Sequence, residues 1–222
     1  MQRINTQEIL DSDACSADDT ETSLRDLCRI NRWFGGVATT RGLIEQVANA
    51  TGLKHFSMLE VASGFGEVPK IAARQLRNKG IALEVVLLDR LRSHLLPGNH
   101  AVVADALELP FPDGAFDLVS CSLFAHHLEP AELSRFAGEG LRVSRCALLI
   151  NDLIRHPVHL ALVYAGFPLM RSRVSRRDGV ASVRRAYETD EMREILSRGS
   201  AKNIEISTHY LFRMGVIAWK SH

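Results

Sequence analysis

The sequence predicts a doubly wound α/β fold, in which a mostly parallel seven-stranded sheet follows N-terminal helices. Three observations lead to this prediction. From residue 57 onward, short apolar runs alternate with segments of helical periodicity. The run at 82–89 (ALEVVLLD) is apolar almost throughout, as expected for a strand buried on both faces of a parallel sheet. A glycine-containing turn at 62–66 joins the first predicted strand to the next helix, a form typical of nucleotide-handling loops.

The composition is that of an ordinary globular protein. The 222 residues suffice for one domain with a full core, and 46% of them are hydrophobic. A formal net charge of +1 gives no reason to expect a nucleic-acid partner. The four cysteines lack C-x-x-C spacing, so we expect reduced thiols, a cytoplasmic protein and no metal site. The sequence shows no signal peptide and no apolar run of the roughly 18–20 residues that span a bilayer, so no integral membrane segment is expected.

Two helices are predicted before the sheet. Residues 1–20 are polar and acidic, and we expect a loosely ordered lead-in there. A helix then begins near residue 22 and ends at two glycines, Gly35 and Gly36. A second helix is predicted at 40–50. The chain is thus divided into an N-terminal helical lid region, 1–52, and a core, 53–222.

The core is predicted to alternate strands and helices. The strands are expected at 57–62, 82–89, 100–104, 116–121 and 145–151, with a closing hairpin at 203–209 and 212–220. The helices are expected at 67–78, 130–143, 156–170 and 190–197. A basic connector separates the last two helices, so the region of about 155–187 is an insert after the fifth strand. Most of the apolar helix at 156–170 is expected to pack in the core.

Acidic residues follow three of the predicted strands at one edge of the sheet. Glu60 ends the first strand and precedes the turn Ala62-Ser63-Gly64-Phe65-Gly66; Asp89 ends the second strand, and Asp105 follows the third. Ligands bind at this edge in doubly wound folds. A dinucleotide fingerprint would require a third glycine where the chain has Pro69, and no phosphate-binding Gly-Lys-Ser/Thr follows. Because like charges repel, an acid at Glu60 favours a positively charged ligand over a pyrophosphate.

These residues resemble motif I of the Rossmann-like S-adenosylmethionine-dependent methyltransferases, an acid followed by a G-x-G-x-G turn. Ala62 stands in place of the first glycine, which alanine replaces readily if its φ is negative. The resemblance covers the chain from about Leu24 onward. It implies that Asp89 binds the ribose, that Asp105 and its neighbours bind the adenine, and that the end of the fourth strand faces the methionine part. The implied cofactor-binding residues are Arg32, Glu60, Ala62, Ser63, Gly64, Gly66, Asp89, Arg90, Asp105, Ala106, Leu107, Cys121 and Ser122.

A narrower resemblance concerns the acceptor. The strings RINRWFGG, SLFAHHL, INDLIR and DGVASVRRAYE are similar to small methyltransferases of the ubiquinone/menaquinone branch, some of which are associated with type III polyketide synthases. This resemblance implies a small, largely apolar acceptor, methylated on the oxygen of a phenolic, quinol or polyketide-derived compound. Carbon methylation of an activated ring is the close alternative.

Several residues are candidates for the acceptor side. His126 and His127 follow the fourth strand, and either has the intrinsic pKa of a general base; the alternative is a packing or capping role. Trp33 and Phe34 form either a lid or an ordinary core contact. Asn151 and Asp152 either orient an acceptor hydroxyl or cap the next helix.

The segment 171–185 contains six arginines. It is either a solvated face or a docking site for an anionic substrate tail, a carrier protein, a synthase or a membrane surface. Two other classes of protein remain open from the sequence. One is an NAD-dependent oxidoreductase, which the missing third glycine disfavours, and the other is a cofactor-binding partner protein without catalysis.

Overall fold

A computed structural model describes residues 1–11, 15–96, 98 and 100–220. Within them the strands form one seven-stranded sheet in the order β3-β2-β1-β4-β5-β7-β6. All neighbouring strands are parallel except β7, which is antiparallel to both β5 and β6. This confirms the predicted fold class and its closing hairpin. The strands are β1 (His55–Val61), β2 (Ala82–Asp89), β3 (Ala101–Val103), β4 (Phe116–Ser122), β5 (Ser144–Leu153), β6 (Ala201–His209) and β7 (Arg213–Lys220).

Seven α-helices lie among the described residues, and the sheet is covered on both faces. The helices are α1 (Ala17–Trp33), α2 (Gly36–Thr51), α3 (Glu67–Arg77), α4 (Pro130–Val143), α5 (Pro157–Ala165), α6 (Arg173–Arg185) and α7 (Thr189–Ser197). Side chains alternate along each strand, so Val119 packs with α4 and α7 while its neighbour Leu118 packs with α2. The chain order reverses between β1 and β4, and this places the ligand edge beside Glu60.

The N-terminal part is more ordered than the sequence predicts. Helix α1 begins at Ala17, because the Ser16 hydroxyl accepts a hydrogen bond from the Asp19 backbone N–H, and two acids favour its first turn. Residues 1–10, here called the N-terminal strap, pack on α6. The carboxylate of Asp178 accepts the backbone N–H groups of Ile9 and Leu10, each at 3.0 Å. The prediction of a loose lead-in is wrong for the strap because a distant buried acid satisfies its backbone.

The predicted insert also differs from the expectation. Its basic connector is helix α6, which the Ser172 hydroxyl caps and whose inner face buries Asp178, Ala181 and Val183. Arginine is a good helix former, so its outer positions extend the helix rather than interrupt it. Helix α5 is shorter than predicted and does not lie in the core, since Val158, Leu162 and Tyr164 are 42–52% exposed. The apolar composition of this helix suggested burial, but the structure leaves most of it on the surface.

Candidate active site

A cavity of about 740 Å³ opens at the carboxyl ends of the strands around the reversal between β1 and β4. The turn after β1, the ends of β2 and β4, and helix α1 form one side of it. The N-terminal strap and helices α5 and α6 form the other. This volume lies within the range of about 300–1,000 Å³ that is usual for small-molecule sites.

The turn after β1 has a strained backbone. Ala62, Gly64 and Gly66 have φ values of +52°, +50° and +67°. The condition of negative φ at Ala62 is therefore not met, and a non-glycine residue in this region costs about 1–2 kcal/mol. At Gly66, a Cβ atom would lie 2.4 Å from Leu87 Cδ1 on β2, so only glycine allows this close approach. Gly66 also starts α3, whose first N–H groups are free to face a ligand.

Glu60 lies at the base of the cavity and is 1% exposed. Burial raises its pKa to about 7, although the hydroxyls of Ser120 and Ser122 oppose the shift. Its Oε2 atom is buried without a hydrogen-bond partner among the described residues. A buried carboxylate oxygen with no partner favours a cationic ligand, so the site fits the positive charge of S-adenosylmethionine.

Acids of the next two strand ends also line the cavity. Asp89 Oδ2 accepts the Gly64 N–H at 2.9 Å, and Oδ1 accepts the Leu91 N–H at 3.0 Å. Burial opposes its ionisation, but His94 and these N–H groups outweigh burial and lower the pKa of Asp89. Asp105 is exposed and accepts the Leu107 N–H at 2.8 Å. The other predicted cofactor residues in the wall are Ala62, Ser63, Gly64, Gly66, Arg90, Ala106, Leu107 and Ser122.

Six predicted site residues do not contribute to the cavity wall, and four of them are Arg32, Trp33, Phe34 and Cys121. The side chain of Arg32 is 58% exposed and pairs with Glu67 at 3.7 Å, while Trp33 is 57% exposed. Phe34 forms the C-cap of α1. Cys121 is fully buried in the core, because strand alternation turns Ser120 and Ser122, and not Cys121, towards Glu60. The structure therefore places the strap, rather than Trp33 and Phe34, over the cavity.

The two candidate histidines occupy different environments. His126 is 2% exposed, and its Nδ1 lies 2.7 Å from Oδ1 of Asp152, while its Nε2 lies 3.3 Å from Oε1 of Glu8. Burial lowers the pKa of His126, but the two carboxylates outweigh it and raise the pKa to about 10. A protonated imidazole has no lone pair to accept a proton, so the structure does not support His126 as a general base. His127 is 18% exposed, lines the cavity and lies 3.7 Å from Oε2 of Glu8.

Asn151 and Asp152 at the end of β5 lie outside the cavity wall. The Nδ2 group of Asn151 donates to the Gly36 carbonyl and to Thr40 Oγ1, both at 2.8 Å, and so fastens α2 to the sheet. Asp152 holds His126. Neither residue caps α5, whose first turn is capped by His156. Neither alternative from the sequence, orienting an acceptor or capping the helix, matches these contacts. Asn151 holds α2 on the sheet and Asp152 holds His126 instead.

The basic residues of the cavity wall that the sequence reasoning missed include His159 on α5 and Arg213 on β7. His159 is 8% exposed, and its Nδ1–H donates to the Ile154 carbonyl at 3.0 Å, which leaves Nε2 as the acceptor nitrogen. Burial lowers the pKa of His159, and the charges of Arg213 and His156 lower it further. His159 is therefore neutral at neutral pH. The string HPVHL was read only as part of an apolar helix.

Arg213 is 2% exposed, and burial lowers its pKa to about 10. Its guanidinium donates to the amide oxygens of Asn31 at 2.6 Å and Asn151 at 3.4 Å. Among the described residues, no carboxylate lies within ion-pair distance of Arg213. This buried guanidinium in the cavity wall can therefore attract an anionic group of a ligand.

Sequence and structure comparisons agree with this geometry. Residues 59–146, less than half of the chain, match the Methyltransf_11 family of methyltransferase domains. No curated protein sequence matches the chain significantly. A methyltransferase structure from Aquifex aeolicus, described as SAM-dependent, is similar at 17% identity with a TM-score of 0.61, over 92% of this chain and 99% of that one.

Two further structures share the fold. Human N-acetylserotonin methyltransferase in complex with SAM has 11% identity and a TM-score of 0.62, over 92% of this chain and 57% of that one. The CMeT domain of citrinin polyketide synthase has 13% identity and a TM-score of 0.53, over 75% of this chain and 46% of that one. At such identities the structures establish the fold alone.

The fold and the cavity define a Rossmann-like α/β protein that binds its ligand where the strand order reverses. The matched segment carries the glycine turn and the acids at the ends of β1, β2 and β3. This segment is similar to methyltransferase domains, and the whole chain shares the fold of the S-adenosylmethionine-dependent methyltransferase from Aquifex aeolicus. No helix in the described part of the chain is long and apolar enough to cross a membrane.

Proposed function

We propose that the protein methylates the oxygen of a small, largely apolar acceptor, such as a phenolic, quinol or polyketide-derived compound. The cavity extends beyond the strand edge into a region that the strap, α5 and α6 enclose. Apolar side chains line this region, among them Leu10, Leu128, Leu153, Val163, Met170 and Val183. Such a wall favours an acceptor with a large apolar surface.

The observation that supports oxygen as the acceptor atom is the pairing of a neutral histidine with a buried guanidinium in the cavity wall. His159 offers Nε2 to a hydroxyl proton, because its Nδ1–H is held by the Ile154 carbonyl. The charge of Arg213 favours both the neutral state of His159 and the oxyanion left by the hydroxyl. We therefore propose His159 as the general base in place of His126, with His127 as the remaining candidate from the sequence.

S-adenosylmethionine supplies the activated methyl group when it is bound. We propose that Glu60 attracts its positive charge and that Asp89 and Asp105 bind its ribose and adenine. The residues then act by positioning the acceptor oxygen and excluding water. The strap closes the acceptor side of the cavity, so the lid of this proposal consists of residues 1–10 rather than the whole predicted region 1–52.

The test uses methyl-labelled S-adenosylmethionine, the purified protein and an extract of its source cells, followed by separation into organic, aqueous and macromolecular fractions. We expect label in the organic fraction, on an oxygen. Label on a ring carbon would overturn the choice of acceptor atom, and label in protein or nucleic acid would overturn the acceptor class. Cofactor binding without any labelled product would favour the non-catalytic alternative.

The role of His159 needs its own comparison. We expect His159→Asn to lower kcat by about 10²–10⁴-fold with unchanged cofactor affinity, because only the base is lost. His100→Asn, at an exposed histidine before β3, is the matched control and should leave kcat unchanged. Equal kcat values in the two variants would remove His159 from the mechanism.

A carrier protein or synthase is the proposed source of the acceptor. Arg185 of the predicted docking region is buried, whereas Arg171, Arg173 and Arg177 are exposed and lie near the exposed apolar face of α5. This mixed surface would attract an acidic partner. If such a partner delivers the acceptor, Arg173→Glu with Arg177→Glu should raise KM for the carrier-bound acceptor alone. An equal rise in KM for the free acceptor would contradict a docking role for these arginines. A cytoplasmic location is proposed from the four free cysteines.

A further inference from the structure

We propose that Glu8, His126 and His127 bind a divalent transition-metal ion, with Zn²⁺ as the best fit, at the acceptor end of the cavity. All three residues line the cavity. Two imidazoles and one carboxylate form a ligand set that is known from catalytic zinc sites. The sequence predicts no metal site, because Glu8 is far from the histidines along the chain and cysteine spacing is uninformative here.

The separations of the ligand atoms suit a small tetrahedral ion. Ligand atoms that are each about 2.0–2.1 Å from Zn²⁺ lie about 3.4 Å from one another. The observed separations are 3.3 Å from Oε1 of Glu8 to His126 Nε2 and 3.7 Å from Oε2 of Glu8 to His127 Nε2. All three ligating atoms lie within 4.8 Å of one another.

An unsatisfied atom points to a missing partner at this position. The Nε2 atom of His126 is buried and makes no hydrogen bond within the described chain, since the Glu8 carboxylate is close but poorly aligned with it. A metal ion between the two side chains would displace the proton from Nε2 to solvent and bind both. Buried nitrogen atoms without a partner are uncommon and usually have a specific reason.

Other residues already orient the ligands as in known metal sites. Oδ1 of Asp152 lies 2.7 Å from Nδ1 of His126, and Oδ2 accepts the His126 backbone N–H at 2.9 Å. A carboxylate on the outer nitrogen leaves Nε2 as the ligating atom and fixes the ring. On the other side, the Ser182 hydroxyl donates to Oε1 of Glu8 at 2.7 Å. The site thus has a supporting shell on two different elements.

The ion would link the N-terminal strap to the sheet, because Glu8 belongs to the strap and the histidines follow β4. Three protein ligands leave a fourth position of a tetrahedral ion for water or for an oxygen of the acceptor. That the acceptor occupies it rests on the proposed function. Binding of the ion itself does not depend on methyl transfer.

The test measures metal binding without cofactor or acceptor. Chelator-treated full-length protein is titrated with Zn²⁺ by calorimetry and with Co²⁺ by visible absorption, which reports tetrahedral coordination. We expect one ion per chain and a higher Tm with Zn²⁺. Glu8→Gln and His127→Asn should each weaken binding by at least about tenfold, and Asp152→Asn by about 10–100-fold.

His55→Asn is the matched control. His55 also lies 3.2 Å from a glutamate, Glu84, but the pair is exposed and belongs to no group of three possible metal ligands among the described residues. Its loss should leave the affinity for Zn²⁺ unchanged. His127 is partly exposed, so His127→Asn tests the site even if Glu8→Gln unfolds the strap, and circular dichroism confirms its fold. The proposal would be overturned if the wild-type protein did not bind Zn²⁺, or if His127→Asn and His55→Asn bound Zn²⁺ with equal affinity.

Discussion

Oδ1 of Asp152 lies 2.7 Å from Nδ1 of His126, and each side chain is 2% exposed. Asp152 belongs to β5, whereas His126 lies in the 3₁₀ turn Ala125–His127 that follows the neighbouring strand β4. The second oxygen of the same carboxylate accepts the His126 backbone N–H. One buried acid therefore fixes both the backbone and the ring of the residue that faces Glu8 of the strap.

We predict that Asp152→Asn destabilises the metal-free protein by about 3–5 kcal/mol, because it leaves a buried imidazolium without its closest partner. Urea denaturation at neutral pH measures the free energy of unfolding. Glu84→Gln, in the exposed pair with His55, is the control and should cost about 1 kcal/mol or less. A similar decrease in the free energy of unfolding of the two variants would mean that burial does not strengthen the His126–Asp152 interaction.

A pH-dependent penalty is predicted at Glu60. Burial raises its folded pKa to about 7 from 4.5, so the folded state binds the proton more tightly than the unfolded state. Relative to pH below 4.5, the free energy of unfolding therefore falls as the pH rises from 4.5 to 7. Above pH 7 it remains lower by roughly 3 kcal/mol. Glu60→Gln removes this penalty. The variant should gain stability relative to wild type between pH 5 and pH 8, as measured by urea denaturation at both values.

Glycine at position 62 should fit the turn better than alanine. Ala62 has a φ of +52°, so Ala62→Gly should stabilise the protein by about 1 kcal/mol after the added flexibility of the unfolded chain is counted. Thermal denaturation detects the change as a higher Tm. Ala161→Gly, on the exposed part of helix α5, is the control and should destabilise by about 1 kcal/mol. A lower Tm for Ala62→Gly would show that the strain is relieved in another way.

The opposite change at position 66 should damage the cofactor side. In Gly66→Ala, the new methyl group meets Leu87 at 2.4 Å and the residue keeps a φ of +67°, so the start of α3 must shift. We expect a loss of about 1–3 kcal/mol in stability and a weaker affinity for S-adenosylmethionine, measured by calorimetry. Gly138→Ala is the control, since a Cβ there meets no atom within 4 Å. Unchanged cofactor affinity in Gly66→Ala would separate the turn from the cofactor site.

The pH profile of turnover should report His159. Burial and the charges of Arg213 and His156 hold its pKa below 6.5, so the active neutral form persists well below neutral pH. We predict that kcat rises with pH on an acid limb below 6.5 and is level from there to neutral pH. Steady-state kinetics over this range measure the limb. Its persistence in His159→Asn would assign the limb to another group.

The regular part of the fold is predictable from the sequence because its signals are local. The apolar run of β2 and the helix α4 have the predicted bounds, and the strand ends bring Glu60, Asp89 and Asp105 to one cavity. Each of these predictions needs only periodicity and the rule that parallel strands end at the same edge. The order of the strands and helices along the chain, and the closing hairpin of β6 and β7, are predictable from the same signals.

Contacts between distant segments were not predictable in this way. A loose strap was predicted because its partner Asp178 is remote in sequence. A connector was predicted in place of α6 because its many arginines obscure the apolar periodicity of its buried face. Burial also decided the roles of the histidines. The sequence does not distinguish His126 from His159. In the structure, two carboxylates raise the pKa of His126, whereas burial and the charge of Arg213 lower the pKa of His159.

The strap has a consequence for the order in which the site forms. Arg3 donates a hydrogen bond to the Arg185 carbonyl across 182 positions of the chain, so this contact closes a very long loop. Closing so long a loop costs conformational entropy, which favours docking of the strap after the sheet has formed. The side of the cavity wall that the strap contributes is then the last to assemble.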